Sequence, residues 1–188
     1  MIVNYFGEGS FRLQSGETVL LVNPANNRQK GDVTLRTLTL TNDAPLSGIE
    51  IAFPGEYEIK GIEIKGLLIE KESSEKFLKT AYAVTWEDMK FVFLGHLSKF
   101  PDPELIEAIE EPDVLFIPTG DAHFIGASEA AKLIKQLEPA IVVPAFYKNS
   151  AEFLKAMGQK GETEEKLVFK KKDLEGRKGR VVVLEAKG

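Results

Sequence analysis

The sequence predicts an α/β (α+β) protein in which two mixed β-sheets pack face to face and helices lie outside them. Up to residue 95, short β-branched or aromatic runs are separated by Gly-rich turns such as the GEGS of Gly7–Ser10. After Gly95 the hydrophobic period changes, and helical segments alternate with buried strands. Since the chain has 188 residues and no repeat or linker, we expect a single domain over residues 1–188.

The first half of the chain is predicted to be strands and turns. The runs MIVNYF, SFRLQ and TVLLVNP favour strands. VTLRTLTLT alternates two sets of residues, which favours a strand over a helix. YEIKGIEIKGLLIEKE predicts an antiparallel pair with a turn or bulge at glycine. TAYAVTWEDMKFVFLG predicts a hairpin whose strands join through Glu87 and Asp88.

The second half is predicted to contain helices between buried strands. In PDPELIEAIEEP, Asp102 is the expected N-cap and Pro103 the first helical residue. ASEAAKLIKQLEP predicts a second amphipathic helix that ends before Pro139, and SAEFLKAMG a short helix closed by Gly158. VLFIP and AIVVPAF predict buried strands, while LVFKKK and RVVVLEA predict terminal ones.

Composition excludes several classes of function. The formal net charge of -5 argues against non-specific binding to nucleic acid or to an anionic membrane, because both require a basic surface. The absence of cysteine excludes disulfides, iron–sulfur clusters and thiol catalysis. The sequence shows neither the pattern of a signal peptide nor an apolar run that could span a bilayer, so we expect a cytoplasmic protein.

Several motifs, in their order and spacing, resemble those of the metallo-β-lactamase superfamily, and most closely its small branch similar to L-ascorbate-6-phosphate lactonase. The motifs are YFGEGSFRL, LLVNP, FPGEYEIKGIEIKG, FLGHLS, DVLFIPTGD and AAKLIKQLEPAIVVPAFY. The resemblance spans essentially the whole chain. It implies an αββα sandwich, with the family's two-zinc site on loops at one sheet edge, and a tendency to form homo-oligomers.

The same resemblance implies that the metal ligands have been lost. In LTNDAPLSG only the spacer Asp43 is retained, while the ligand positions of that loop hold Asn42, Ala44, Leu46 and Ser47. His96 stands where the family has its metal-bridging aspartate. Other family positions hold Glu8, Asn23, Phe93, Lys99 and Phe146. Because alanine and leucine cannot bind zinc and asparagine is a poor ligand, we expect no zinc and no other cofactor.

The leading hypothesis is therefore a metal-free, non-catalytic module that binds a small ligand or takes part in assembly. The vacated cleft is expected to be lined by Asn42, Asp43, His96, Lys99, Asp121, His123, Phe146 and Tyr147. The charge of Lys99 would favour an anionic ligand. No residue is assigned a catalytic role, although His96, Lys99 and Asp43 are candidates.

Two alternatives stay open at this stage. One is a hydrolase of phosphoesters or lactones, either with a single metal ion rebuilt around His96 or with His96 as a metal-independent general base beside Lys99. Such a metal site could combine His96, His123 and a carboxylate, since two imidazoles and one carboxylate suffice chemically. The other is structural: His96 caps a cleft, and His123 lies on a surface loop that leads into a helix.

Overall fold

The computed structural model describes residues 1–26, 28–41, 49–120, 123–161 and 163–187. Its strands are β1 (Ile2–Tyr5), β2 (Phe11–Ser15), β3 (Thr18–Val22), β4 (Val33–Leu35), β5 (Leu38–Leu40), β6 (Glu50–Ile51), β7 (Gly55–Ile59), β8 (Ile62–Leu68), β9 (Phe77–Trp86), β10 (Met89–Phe93), β11 (Val114–Pro118), β12 (Ile141–Ala145), β13 (Thr163–Glu164), β14 (Leu167–Val168), β15 (Arg180–Val181) and β16 (Val183–Leu184). Its α-helices are α1 (Pro103–Ala108), α2 (Ala127–Leu137) and α3 (Ala151–Met157). Short 3-10 helices cover Glu70–Glu72 and Lys171–Asp173.

The strands form two large mixed sheets. In the first sheet the order is β14-β1-β2-β3-β4-β6, and in the second it is β15-β12-β11-β10-β9-β8-β7, with β5 paired to β9. Each sheet contains parallel pairs, such as β3 with β4 and β10 with β11, beside antiparallel ones. The predicted class of two mixed sheets with helices is confirmed.

Two hydrophobic cores hold these layers together. The facing sides of the sheets form the first core, where Leu13 and Leu20 lie with Phe91 and Phe116. The other face of the second sheet forms the second core with the helices, which contribute the buried side chains of Leu133 and Phe153 among others. The helical face is buried because α2 repeats its apolar residues at helical spacing. None of the described helices is long and apolar enough to cross a membrane.

The strand predicted at 33–41 is divided between the two sheets. Every second side chain from Val33 to Thr39 is buried, but β4 pairs with β3 in the first sheet and β5 pairs with β9 in the second. The backbone changes sheets at Arg36 and Thr37: Arg36 N donates to Ile51 O at 2.9 Å, and Thr37 O accepts from Thr80 N at 3.0 Å. Alternation in sequence fixes which side chains are buried and leaves open which strand receives the hydrogen bonds.

The hairpin predictions are confirmed, whereas the terminal strands are shorter than expected. Lys60 and Gly61 between β7 and β8, and Glu87 and Asp88 between β9 and β10, all have positive φ, as two-residue hairpin turns require. LVFKKK contributes only the two residues of β14, and RVVVLEA is divided between β15 and β16. RVVVLEA changes partners, because β15 pairs with β12 in the second sheet and β16 pairs with β13 in a separate two-stranded sheet, and a short apolar run does not reveal this.

The topology brings the carboxyl ends of strands from both sheets to one edge. Asn23 follows β3, Thr37 follows β4, His96 follows β10 and Phe146 follows β12. Ligand sites of α/β sheets commonly lie at this end of parallel strands. The candidate functional site therefore lies at this edge.

The turn after β10 depends on Gly95. Its φ is +53°, and a Cβ atom there would lie 2.3 Å from the Cβ of Thr37. Gly16 is a matched control, because its φ is +54° and a Cβ there would meet no atom within 4 Å. We expect Gly16→Ala to lower the free energy of unfolding by about 1 kcal/mol through backbone strain alone. Gly95→Ala should cost roughly 2 kcal/mol more through overpacking.

Urea unfolding of both variants beside the wild-type protein measures this difference. Equal losses in the two variants would show that the contact between residue 95 and Thr37 does not constrain the turn.

Candidate functional site

A chain of hydrogen bonds connects three loops at the sheet edge. Thr37 N donates to Asn23 Oδ1 at 2.9 Å, and Asn23 Nδ2 donates to Thr37 Oγ1 at 2.8 Å. Thr37 Oγ1 also lies 2.9 Å from His96 Nδ1. Thr37 is 0% exposed, so its hydroxyl depends on these partners rather than on water. The chain links a residue from the first sheet to His96 in the second.

His96 is held in an apolar and positively charged setting. Its ring centroid lies 4.7 Å from that of Phe146 and 6.2 Å from that of Phe124. Burial, and then the nearby charge of Lys79, lower the pKa of His96 to about 4. The imidazole is therefore neutral at physiological pH.

Phe146 fills the centre of the edge. Its φ of +57° is rare for a bulky residue, and its ring stacks on Phe124 with a centroid distance of 4.5 Å. A Cβ atom at Gly9 would lie only 2.1 Å from Cζ of this ring. The ring therefore occupies the space that a side chain at residue 9 would need.

Little space remains beneath the ring of Phe146. The residual cavity is about 10 Å³, roughly what one water molecule needs. Its lining is mostly apolar and comprises Gly9, Phe11, Val22, Asn23, Phe93, Gly95, Phe116, Pro118, Ala145 and Phe146. Several of these are the positions at which the family resemblance placed motif and ligand residues.

The described residues do not fit a two-metal centre. Within the ranges that the structure describes, no three His, Cys, Asp or Glu side chains are grouped to hold a metal ion. Phenylalanine at 93 and 146 offers no ligand atom, and the cavity has no room for two cations with their water. The loop that holds Asn42, Asp43 and Leu46 lies outside the described residues.

Beside Phe146 lies a small open cleft, which we call the polar cleft. Its lining residues are Lys79, His96, Ser98, His123 and Phe124, and its volume is about 390 Å³. That volume suits a small molecule. The two histidines of the chain therefore share one cleft, although they come from loops after different strands.

A buried ion pair supports one wall of the polar cleft. Lys79 Nζ donates to Glu72 Oε2 at 2.7 Å, and the two side chains are 14% and 4% exposed. Ser98 Oγ donates to the same oxygen at 2.6 Å, and the backbone N–H groups of Ser98 and Lys99 also donate to this carboxylate. Although burial opposes it, these hydrogen bonds lower the pKa of Glu72, which stays ionised.

A second, larger cleft lies on the other side of Phe124. Its volume is about 1060 Å³, and both Phe146 and Tyr147 line it. Its charged lining residues are Glu8, Lys148, Glu152 and Glu185. Since carboxylates outnumber lysine there, this cleft favours an anion less than the polar cleft does.

The structure brings together only part of the predicted cleft. His96 and His123 line the polar cleft, whereas Phe146 and Tyr147 line the larger one. The side chain of Lys99 is exposed and is not among the residues that line the polar cleft. Asn42, Asp43 and Asp121 fall outside the described residues. The positive charge predicted for the cleft is supplied by Lys79 instead, while Lys99 contributes its backbone N–H to Glu72.

Sequence reasoning missed Lys79, Ser98, Thr37 and Phe124. A signal for Lys79 exists in KFLKTAYAV, where lysine stands in a strand on the same side as Ala81 and Ala83. A charged residue on the side of a strand that packs beneath helices requires a partner. That partner, Glu72, is seven residues earlier and lies in a 3-10 helix, which the sequence pattern did not predict.

Comparisons with known proteins agree with this fold. A family model described as "Beta-lactamase superfamily domain" matches residues 2–145. A solved structure from Thermotoga maritima, of the metallo-beta-lactamase superfamily, is 24% identical with a TM-score of 0.81 and covers 98% of this chain and 99% of that one. Igni18, a metallo hydrolase from Ignicoccus hospitalis, is 15% identical with a TM-score of 0.67 over 100% and 96% of the two chains.

Relatives with assigned names match a shorter part of the chain. A metal-dependent hydrolase from Archaeoglobus fulgidus is 27% identical over 100 residues, which are 50% of this chain and 43% of the relative. Another from Methanopyrus kandleri is 26% identical over 106 residues, or 52% and 46%. The match thus spans less than half of each relative. Their names agree with the hydrolase alternative better than with the metal-free module.

The lowered pKa of His96 predicts a pH dependence of stability. In the unfolded chain the group has its ordinary pKa of 6.5, against about 4 in the folded protein. Between these values the unfolded state binds more protons, so stability falls as pH falls. The loss attributable to His96 should approach about 3 kcal/mol near pH 4, and it should vanish above pH 7.

Urea unfolding of wild type and His96→Asn is measured from pH 7.5 to pH 4. The comparison isolates the contribution of the imidazole, because all carboxylates are the same in both proteins. Parallel curves over the whole range would contradict a neutral, buried His96.

Proposed function

We propose that this chain, which belongs to the metallo-β-lactamase superfamily, binds a small ligand in the polar cleft without a metal ion. The proposal rests on the ring of Phe146, beneath which a cavity of only about 10 Å³ remains. Superfamily hydrolysis needs metal ions that bind and activate water. Space filled by an aromatic ring cannot accommodate that chemistry.

Residue types at the remaining motif positions support the same proposal. The segment 42–48 offers one carboxylate, at Asp43, and no imidazole. Phe93 stacks on Phe116 within the core, with ring centroids 4.3 Å apart. Its side chain has no atom that can bind a metal. We propose accordingly that the ligand motifs have degenerated within a branch similar to L-ascorbate-6-phosphate lactonase. One domain over residues 1–188 and a homo-oligomeric state belong to this proposal.

A hydrolase with a rebuilt site is the second candidate, and the names of the relatives favour it. One further observation is in its favour: His96 and His123 line the same cleft. A single metal ion would need both imidazoles and a carboxylate from Asp43 or Asp121. Function depends on such side chains rather than on the fold. The two candidate functions differ in whether the protein binds a metal ion.

Metal binding separates the two candidates. We expect freshly purified protein to contain no stoichiometric metal. After chelation, we expect zinc and manganese to bind no more tightly than about millimolar. His96→Ala should leave this result unchanged, because no metal depends on the imidazole. Elemental mass spectrometry gives the metal content, and calorimetric titration gives the affinity.

Stoichiometric binding that disappears in His96→Ala would overturn the proposal in favour of the rebuilt metal site. Metal-free protein that hydrolyses a phosphoester or lactone, with activity lost in His96→Ala, would show that the chain is catalytic. That result would leave the proposed metal-free state intact. His123→Ala provides the matched control, since it removes the other histidine of the cleft and separates a two-histidine site from a role of His96 by itself.

A further inference from the structure

We infer that the polar cleft binds a small oxyanion, the phosphate or carboxylate group of a soluble molecule, through N–H donors on Lys79 and His96. The inference rests on the proposed function, because it names the chemical class of the ligand for that same cleft. It follows from the direction of the hydrogen bonds around the cleft.

The orientation of the Asn23 amide is fixed by its hydrogen bonds to Thr37. A backbone N–H can only donate, so the atom that accepts from Thr37 N at 2.9 Å must be Oδ1. The other amide atom is then Nδ2, which donates to Thr37 Oγ1 at 2.8 Å. The amide of Asn23 therefore has one orientation, and the hydroxyl of Thr37 acts as acceptor towards it.

The hydroxyl of Thr37 determines which ring nitrogen of His96 carries the proton. Within the described part of the chain, Thr37 Oγ1 has two side-chain partners, Asn23 Nδ2 and His96 Nδ1. Since Asn23 already donates, the hydroxyl proton of this fully buried residue is satisfied only if it points to Nδ1. A neutral imidazole that accepts at Nδ1 carries its proton at Nε2. His96 therefore offers an N–H donor from the ring edge opposite Thr37.

Lys79 supplies the second donor. Its ammonium group has three N–H donors, of which one goes to Glu72 Oε2 and one to Ser98 Oγ at 3.4 Å. Ser98 Oγ itself donates to Glu72, so it accepts from Lys79. The third N–H belongs to a side chain that lines the polar cleft and is 14% exposed.

Glu72 does not compete for this position. Its carboxylate accepts from Lys79, from Ser98 Oγ and from two backbone N–H groups, and it is absent from the cleft lining. The cleft is thus offered donors by Lys79 and His96. Such a pair is complementary to an oxyanion, whose oxygens accept charge-assisted hydrogen bonds. The positive charge of Lys79 opposes a cation there.

Titration with inorganic phosphate, and separately with acetate, tests the inference. We expect saturable shifts in amide NMR signals around Lys79, His96 and Ser98. The variant Lys79→Met/Glu72→Gln changes both members of the buried pair, because removal of Lys79 alone would leave Glu72 unpaired. This variant should weaken binding about tenfold or more, through loss of a charged donor. Lys76→Met should bind as wild type, since Lys76 is exposed and does not line the cleft.

Phosphate and acetate arms distinguish the two sources of the oxyanion. Saturation by either anion with sensitivity to Lys79→Met/Glu72→Gln supports the inference. Metal-free protein that binds neither anion, or binds them equally well in the double variant, overturns the inference and leaves the proposed metal-free state intact. Stoichiometric metal lost in His96→Ala overturns the proposed function itself, so the two failures are distinguishable.

The tautomer of His96 gives a second, direct measurement. Nitrogen-15 shifts of the imidazole at pH 7 should show a protonated Nε2 and an unprotonated Nδ1. Thr37→Val removes the hydroxyl that donates to Nδ1 and should change this pattern, whereas Thr34→Val, on the same segment but half-buried, should not. A protonated Nδ1 in the wild-type protein would overturn the role of His96 as donor.

Discussion

The position of Thr37 between the two sheets is the constraint on which the site depends. Its backbone N–H donates to Asn23, its carbonyl accepts from Thr80 of β9, and its hydroxyl lies between Asn23 and His96. Because the residue is fully buried, each of these bonds replaces one that water would provide in the unfolded chain. The bonds are satisfied together only when both sheets hold their loops in this register.

Phe146 makes the centre of the same edge apolar and closely packed. Its ring contacts Phe124 and His96, and it can approach the backbone at residue 9 because glycine has no Cβ there. An aromatic ring stabilises the edge by burial and stacking, whereas metal ligands would stabilise it only with the cations bound. The ring also closes the interior and leaves two clefts on either side of Phe124.

The chemistry available to the chain follows from the residues that line the clefts beside Phe124. A metal centre attracts electron pairs from substrate oxygens, and N–H donors can do the same more weakly. Under the proposed function, the ammonium group of Lys79 and the imidazole of His96 are the partners for an anion in the polar cleft. Likeness in fold at 24% identity or less leaves the side chains of a functional site free to differ.

The sequence by itself determined the class of the fold and which residue types occupy the motif positions. Alternation in strands, helical spacing in α2 and the glycines of the turns are local patterns, and each is read within a few residues. The ligand types absent from 42–48, and the phenylalanines at 93 and 146, are likewise visible as letters. They concern residue identity, which needs no coordinates.

Only the tertiary structure decided which groups meet. The sequence placed Lys99 at the cleft, but the fold directs that side chain to solvent and brings Lys79 from β9 instead. It also decided that Thr37 lies between Asn23 and His96, which are 14 and 59 residues away in the chain. Hydrogen-bond direction, burial and the volume left beside Phe146 depend on contacts between distant segments, and no local pattern encodes them.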